Sequence, residues 1–320
     1  MSAYDEYDPD FIRTTKPAKN RKQTRPKRRR FDDEPLRRGR LTEEERERLA
    51  ALRDEPEPRP LPNDADRWST WDSGERGPRP HPPWLVTELA AVDHELGVLK
   101  TGKEADVHVL RRSVPGGDSC LLAAKRYRDL DHRMFHRDAG YLEGRRMRKS
   151  REMRAMRQRS SFGRGVIAEQ WAVAEFAVLS SLWAAGAPVP YPVQRIGTEV
   201  LLEFLGAADG TAAPRLAALR PTPDELDDLW LQLVNALVAL AGQGFTHGDL
   251  SAYNVLVHDG RLLLIDLPQA VDLVANPRGL AYLRRDAANI TGWFRARGAD
   301  EHRTDPDELA VLLATAANLM

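Results

Sequence analysis

From Leu226 to Leu240 one face is marked by Leu226, Leu229, Trp230, Leu233, Val234, Leu237 and Leu240. Those intervals of three and one draw a single stripe along a 3.6-residue period. Just ahead, Thr222-Pro223-Asp224-Glu225 supplies a cap residue, a proline in the first turn and a glutamate three places past the cap. The pattern predicts a helix that opens at Thr222 and ends at Gly242 or Gly244. Trp171, Ala174, Val178 and Leu182 keep helical spacing, which predicts a second helix over Ala168 to Ala185 closed by Gly186. Two more helices are predicted to end the chain, the last opened by Asp305-Pro306-Asp307-Glu308. Trp84-Leu85-Val86 and Leu89-Ala90 predict a short amphipathic helix where order begins.

Elsewhere the pattern is that of strands. "GVLKTGKEADVHVL" and "CLLAAKRYR" read as strands joined through the turn "VPGGDS", and "EVLLEFLG" at 199–206 as a buried strand followed by a break. In "THGDLSAYNVLVHDGRLLLIDLPQAVDL", the runs Val255–Val257 and Leu262–Ile265 flank His258-Asp259-Gly260, a hairpin with a two-sided apolar core. Helices and strands together indicate an α+β protein.

Residues 1–80 lack such periods. They are rich in Pro, Arg, Asp and Glu and are expected to form a disordered charged tail that buries too little to offset chain entropy. Within it, Thr42-Glu43-Glu44-Glu45 predicts a short capped helix to about Arg53. Hydrophobic residues make up 42% of the 320, enough for a sizeable core, and the formal net charge is zero. The charge is unevenly spread. "KPAKNRKQTRPKRRR" (16–30) holds nine basic residues and no acid, and "EGRRMRKSREMRAMRQRSSFGR" (143–164) holds nine against two glutamates. Each reads either as a solvated linker or loop, or as a contact for RNA or another polyanion. The lone cysteine, Cys120, leaves no internal disulfide or Cys-rich zinc site. No run approaches the roughly 18 apolar residues of a membrane span, and the N-terminus lacks the apolar stretch of a secretory signal. A cytoplasmic protein without a membrane partner is expected.

Chemistry gathers at the hairpin. Asp249 and Asn254, five apart, precede it, and Asp266 stands at the end of its second strand. Either acid alone would read as a turn former or strand cap. Together, if the turn closes tightly, Asn254 and Asp266 meet, giving hard oxygen ligands suited to Mg²⁺, with Mn²⁺ as a substitute. Asp249 is then placed to accept or position a hydroxyl proton. Phosphoryl transfer needs that arrangement: a metal to neutralise phosphates and a carboxylate to orient the nucleophile. It also needs a phosphate-covering turn and a strand lysine. Lys125 in "LLAAKRY" is the lysine, with Glu175 on the helix from Ala168 as its partner. "KTGKEADV" matches a glycine-loop pattern only at Gly102 and Val107, with Lys100, Thr101, Lys103 and Ala105 around them.

Several of these stretches resemble the RIO family of atypical serine/threonine protein kinases, of the type without an N-terminal winged helix. They are "KTGKEADV", "AAKRYR", "WAVAEFAVLSSLWAAGAPVPYPV", "VLLEFLG", "HGDLSAYNVLVHDGRLLLIDLPQAV" and "YLRRDAANITGWF", in family order over about 85–295. Gly248 stands where ordinary protein kinases have arginine, and "IDLPQAV" replaces their Asp-Phe-Gly, both typical of RIO proteins. The resemblance implies a two-lobed protein-kinase-like fold, with a small β-rich N-lobe (81–205) carrying a basic flexible loop and a mostly helical C-lobe (206–320). It also implies ATP in the cleft. Lys125 would hold the phosphates and pair with Glu175, and Glu203 and Phe204 would sit at the adenine hinge. Asp249 would be the catalytic carboxylate, with Asn254 and Asp266 as metal ligands. In some family members the last Asp is thought to accept phosphate itself. Archaeal and eukaryotic relatives act in maturation of the small ribosomal subunit, so a ribosomal particle joins RNA among the expected partners of 16–30 and 143–164. Two departures stand out: Lys100 in place of serine, and Pro268 in place of a small residue.

The expected activity is ATP- and Mg²⁺-dependent phosphoryl transfer to a protein acceptor, the chain itself included, or ATP hydrolysis. Two rivals stay open: a small-molecule phosphotransferase of the aminoglycoside or choline type, and an RNA-associated factor that uses ATP as a conformational switch.

Overall fold

The computed structural model describes residues 42–44, 60–128 and 161–320, with the backbone alone at 161–166. The basic segment 16–30 and residues 143–160 of the segment 143–164 lie outside the described residues, as does the capped helix near Thr42 beyond its first turn. Residues 60–320 make up one compact unit.

The N-terminal half is a seven-stranded antiparallel sheet. Its strands are β1 (Arg67–Trp68), β2 (Glu75–Arg76), β3 (Val92–Thr101), β4 (Ala105–Ser113), β5 (Ser119–Tyr127), β6 (Pro192–Ile196) and β7 (Glu199–Glu203). Their order is β1-β3-β4-β5-β7-β6-β2. Side chains on β5 alternate as a pleat requires. Leu122 and Ala124 enter one buried cluster, while Tyr127 enters another with Trp171 and Phe176 of the long helix α1 (Ser161–Ala184).

Three expectations are corrected here. Residues 60–80 are not part of a tail: β1 pairs with β3 at one sheet edge and β2 with β6 at the other. Between those edges Trp71, Leu85, Val86 and Ala91 bury themselves against Leu110, Leu122 and Val193. The helix expected at Trp84 is absent, because Leu85 and Val86 are used as extended-chain anchors on that sheet face. And α1 starts at Ser161, inside the segment expected to be a basic loop.

The sheet also buries charge where the apolar pattern gives no warning. Arg112 is fully buried, with two nitrogens on Asp93 at 2.7 and 3.1 Å and the third on Gln194 at 2.9 Å. A guanidinium can occupy such a place because its planar fork is met on every side.

The C-terminal half is mainly helical, with a single large core. In α2 (Pro223–Gly242) both bonds of the capping box at Thr222 and Glu225 are present, and Leu226, Leu229, Trp230, Leu233, Leu237 and Leu240 are buried. Each such side chain contributes about 1.5–3 kcal/mol. The short β8 (Phe245–Thr246) follows, then the hairpin of β9 (Val255–His258) and β10 (Arg261–Leu264), then β11 (Val271–Asp272). Helices α3 (Gly279–Arg295) and α4 (Pro306–Ala316) complete it, with Asp305 accepting from the Asp307 and Glu308 amides. Helix α1 joins the halves: Trp171 and Phe176 pack on the sheet, Leu179 and Leu182 in the helical core. This is the two-lobed, kinase-like α+β architecture. No helix among the described residues is long and apolar enough to cross a membrane.

Candidate active site

Between the lobes runs a cleft of about 460 Å³, within the range of small-molecule sites. Its sheet side carries Val107 and Ala123, its helical side Leu256 and Ile265, and its back edge Glu203, Phe204 and Leu205. At its inner end stands Lys125.

The pleat that buries Leu122 and Ala124 on one face turns Lys125 into the cleft, opposite Val107 in the β4–β5 register. Lys125 is only 8% exposed. Its Nζ donates to Glu175 Oε1 at 2.6 Å and Asp266 Oδ1 at 2.8 Å. Glu175, 1% exposed, also accepts from the Tyr127 hydroxyl. Burial alone would push the lysine pKa down, but Asp266 and then Glu175 outweigh it and hold the ammonium above its ordinary value. Lys125 in return pulls the Asp266 carboxyl down to about 2, against its own desolvation. Lys125 and Asp266 are therefore both charged at neutral pH.

The hairpin closes with Val255 opposite Leu264, and one more bond, Ile265 N to Asn254 O at 3.0 Å, extends the ladder. Asn254 thus faces Ile265, and Asp266 is one residue further on. The expected meeting of Asn254 with Asp266 is offset by that residue, and the Asp266 carboxylate reaches Lys125. Asp266 adopts a left-handed φ of 66°, tolerated best by Gly, Asn and Asp. Asn254 Nδ2 donates to the Asp249 carbonyl at 2.9 Å, which leaves Oδ1 as a free acceptor. The Asp249 side chain is exposed. Asp249, Asn254 and Thr101 stand outside the cleft lining, whereas Lys100, Gly102, Lys103, Val107, Glu203 and Phe204 belong to it. Burial raises the Glu203 carboxyl above its ordinary pKa, and its oxygen accepts from the Tyr191 amide at 2.9 Å.

Several positioning residues have no sequence signal. Asp286 on α3 is 1% exposed and accepts from Thr246 Oγ1 at 2.8 Å, Gly248 N at 2.7 Å and Leu250 N at 3.0 Å. It therefore grips the loop on both sides of Asp249. Arg285 donates to the Gly248 carbonyl from the same helix. His247 is fully buried and joins Ile265 O through Nε2 at 3.0 Å. Since a carbonyl can only accept, Nε2 carries a hydrogen, and the buried Nδ1 has no hydrogen-bond partner. Gln269 Nε2 reaches Glu104 at 3.2 Å, tying the segment after Asp266 to the β3–β4 turn. Pro268 occupies the second position of the turn closed by Ala270 N to Leu267 O at 3.1 Å, where a fixed φ suits the backbone.

The glycine in His247-Gly248-Asp249 has a steric cause. Its φ is 81°, and a Cβ there would stand 2.2 Å from Gln269 O. Gly248→Ala should lower unfolding free energy by more than about 1 kcal/mol, read as a shift in the urea midpoint. An unchanged midpoint would mean that the loop relaxes freely.

Comparison with known proteins identifies a family. The family model for the RIO domain matches residues 127–309. RIO-type serine/threonine-protein kinase Rio1 of Haloferax volcanii is 34% identical over 205 residues, which cover 64% of this chain and 64% of that protein. Serine/threonine-protein kinase RIO1 of Chaetomium thermophilum is 32% identical over 213 residues, 64% of this chain and 40% of that protein. The matched region thus spans less than two thirds of either relative. A solved Rio2 kinase–ADP/Mg²⁺–phosphoaspartate complex from Chaetomium thermophilum is similar at TM-score 0.44 and 20% identity, covering 70% of this chain and 71% of that one. With more than half of its residues under the family model, the chain belongs to the RIO domain family.

Proposed function

We propose that this protein transfers the γ-phosphoryl group of ATP to a serine or threonine hydroxyl, or to water, as a RIO-type kinase or ATPase. The observation that carries the reading is Lys125, held charged between Glu175 and Asp266 at the inner end of an interlobe cleft. An ammonium so fixed is a phosphate ligand that costs little reorganisation. The apolar walls around Val107, Ala123 and Leu256 suit a purine, and the backbone at Glu203–Leu205 is where its edge would be read.

The donor set fits magnesium. Among the described residues no three His, Cys, Asp or Glu side chains converge, and Mg²⁺ in phosphoryl-transfer sites needs only one or two protein oxygens beside phosphate and water. Asn254 Oδ1 and the ionised Asp266 would supply them. When bound, the ion would neutralise charge on the phosphates. Asp249, exposed beside the cleft and backed by Asp286, would orient the acceptor hydroxyl and take its proton. A protein acceptor, and RNA or a ribosomal particle reached through the basic segments, belong to the same proposal, as does a cytoplasmic location.

The test is to incubate the protein with γ-labelled ATP and Mg²⁺ and to locate the label. Acid-stable label on serine or threonine is the expected kinase result; free phosphate, or hydroxylamine-labile label on a carboxyl, is the ATPase result. Label that appears only on added aminoglycoside or choline would assign the small-molecule reading instead. No Mg-ATP heat in a calorimetric titration would overturn the site.

A further inference from the structure

In the sheet lobe Arg67, Arg112, Arg126, Arg128 and Arg195 each close on a carboxylate. Three arginines of the helical lobe, one of them lining the cleft, do not. Among the described residues Arg215, Arg220 and Arg297 have no carboxylate partner. Arg215 lines the cleft and donates Nη1 to the Tyr253 carbonyl at 2.9 Å. Arg297, just past α3, lies over the Trp293 ring at 3.7 Å and reaches the Ala217 carbonyl at 3.5 Å. Its Nε is buried without a partner. Burial and then the nearby Arg220 hold the Arg297 guanidinium below its ordinary pKa, as like charges in proximity should. Between them Tyr253, one residue before Asn254, is 65% exposed.

We propose that Arg215, Arg220, Arg297 and Tyr253 form a docking surface for an acidic peptide, so that the preferred acceptor is a serine or threonine flanked by aspartate or glutamate. The inference rests on the phosphoryl-transfer reading and names the substrate class for that site. All three arginines already commit one nitrogen to a backbone carbonyl, Arg220 through Nη1 to Leu219 O at 3.0 Å, which orients the rest of the fork before a ligand arrives. Preorganised guanidinium groups favour carboxylates, which they can bind through two parallel bonds. The surface also adjoins the loop that carries Asp249. From Asp249 to Tyr253 is only four residues, so a short extended peptide, at about 3.3 Å per residue, can touch the arginines and present its hydroxyl to Asp249. A longer polyanion has no such constraint.

The test measures fluorescence anisotropy of two labelled peptides, one with serine among glutamates and aspartates, the other with the same serine among lysines. A single-stranded RNA 12-mer serves as a third probe. The acidic peptide should bind more tightly, and weaken with salt. Arg220→Glu and, separately, Arg297→Gln should each raise its Kd about fivefold without weakening the lysine peptide. ADP affinity should be unchanged in both variants. Equal binding of the two peptides, or an unchanged Kd in both variants, would overturn the proposal. So would tighter RNA binding that the same substitutions weaken, since that assigns the surface to nucleic acid. Selective acidic-peptide binding by a protein that turns over no ATP would leave the docking surface standing and remove the phosphoryl-transfer reading alone.

Discussion

Asp266→Ala should abolish Mg²⁺-dependent turnover and leave the protein folded. The expected loss is at least about 10³-fold, the rate equivalent of several kcal/mol of transition-state charge stabilisation. The fold should survive because Lys125 keeps its bond to Glu175 at 2.6 Å when Asp266 is gone. Some stability is lost nonetheless, on the order of 1–2 kcal/mol, since alanine is a poor occupant of a left-handed backbone. Asp266→Asn, which tolerates that conformation better, separates backbone strain from lost charge. The pH dependence has a definite sign. The Asp266 carboxyl has its pKa depressed to about 2 from an ordinary 3.8. Its stabilisation is therefore full above about pH 4 and is lost as pH falls towards 2. Urea midpoints across that window should fall more steeply for the parent than for either variant. Parental ATP hydrolysis and autophosphorylation in Asp266→Ala would show that the carboxylate is not a metal ligand.

How much of this site can be read from the chain depends on how local each signal is. The β9–β10 hairpin is legible because apolar runs and the Asp259-Gly260 turn lie within a few residues, and left-handed φ at both turn residues is what those residue types allow. Lys125 is legible from strand alternation, which dictates its face, and the α2 cap from a four-residue code. The register offset at Asp266 is not legible, because it depends on one ladder bond past the strand ends. Arg112 is misread by any apolar pattern, since its burial is decided by Asp93 and Gln194 on other strands. Residues 60–80 are missed because their strands are two residues long and their few anchors sit among prolines and charges. They gain order by wrapping a sheet formed later in the chain. The same distance hides Asp286, which in "YLRRDAANI" looks like any acid on a charged helix.

Asp286→Asn should separate nucleotide binding from chemistry. The parent carboxylate has only acceptors and meets three donors, the Thr246 hydroxyl and the Gly248 and Leu250 amides. An asparagine of the same shape has one accepting oxygen, so its NH₂ must confront at least one of those donors. A buried amide left unsatisfied costs about 1–3 kcal/mol, and the loop can escape that cost only by shifting. Asp249 lies between the two gripped amides and would move with it. Misplacement by about 1 Å is worth about 10² in rate, so kcat should fall by about that factor. The Kd for ADP should stay near the parental value, because Lys125 is held by Glu175 and Asp266 and Glu203 bonds the Tyr191 amide, none of them on α3. Asp286→Ala removes the acceptor altogether and should cost about 3 kcal/mol or more in urea unfolding, with activity lost in proportion to folding as well as placement. The discriminating measurement is therefore kcat against ADP affinity in the folded asparagine variant. A parallel loss of both would mean that Asp286 supports the lobe as a whole, and an unchanged kcat would mean that Asp249 is held by Asn254 and Arg285 alone.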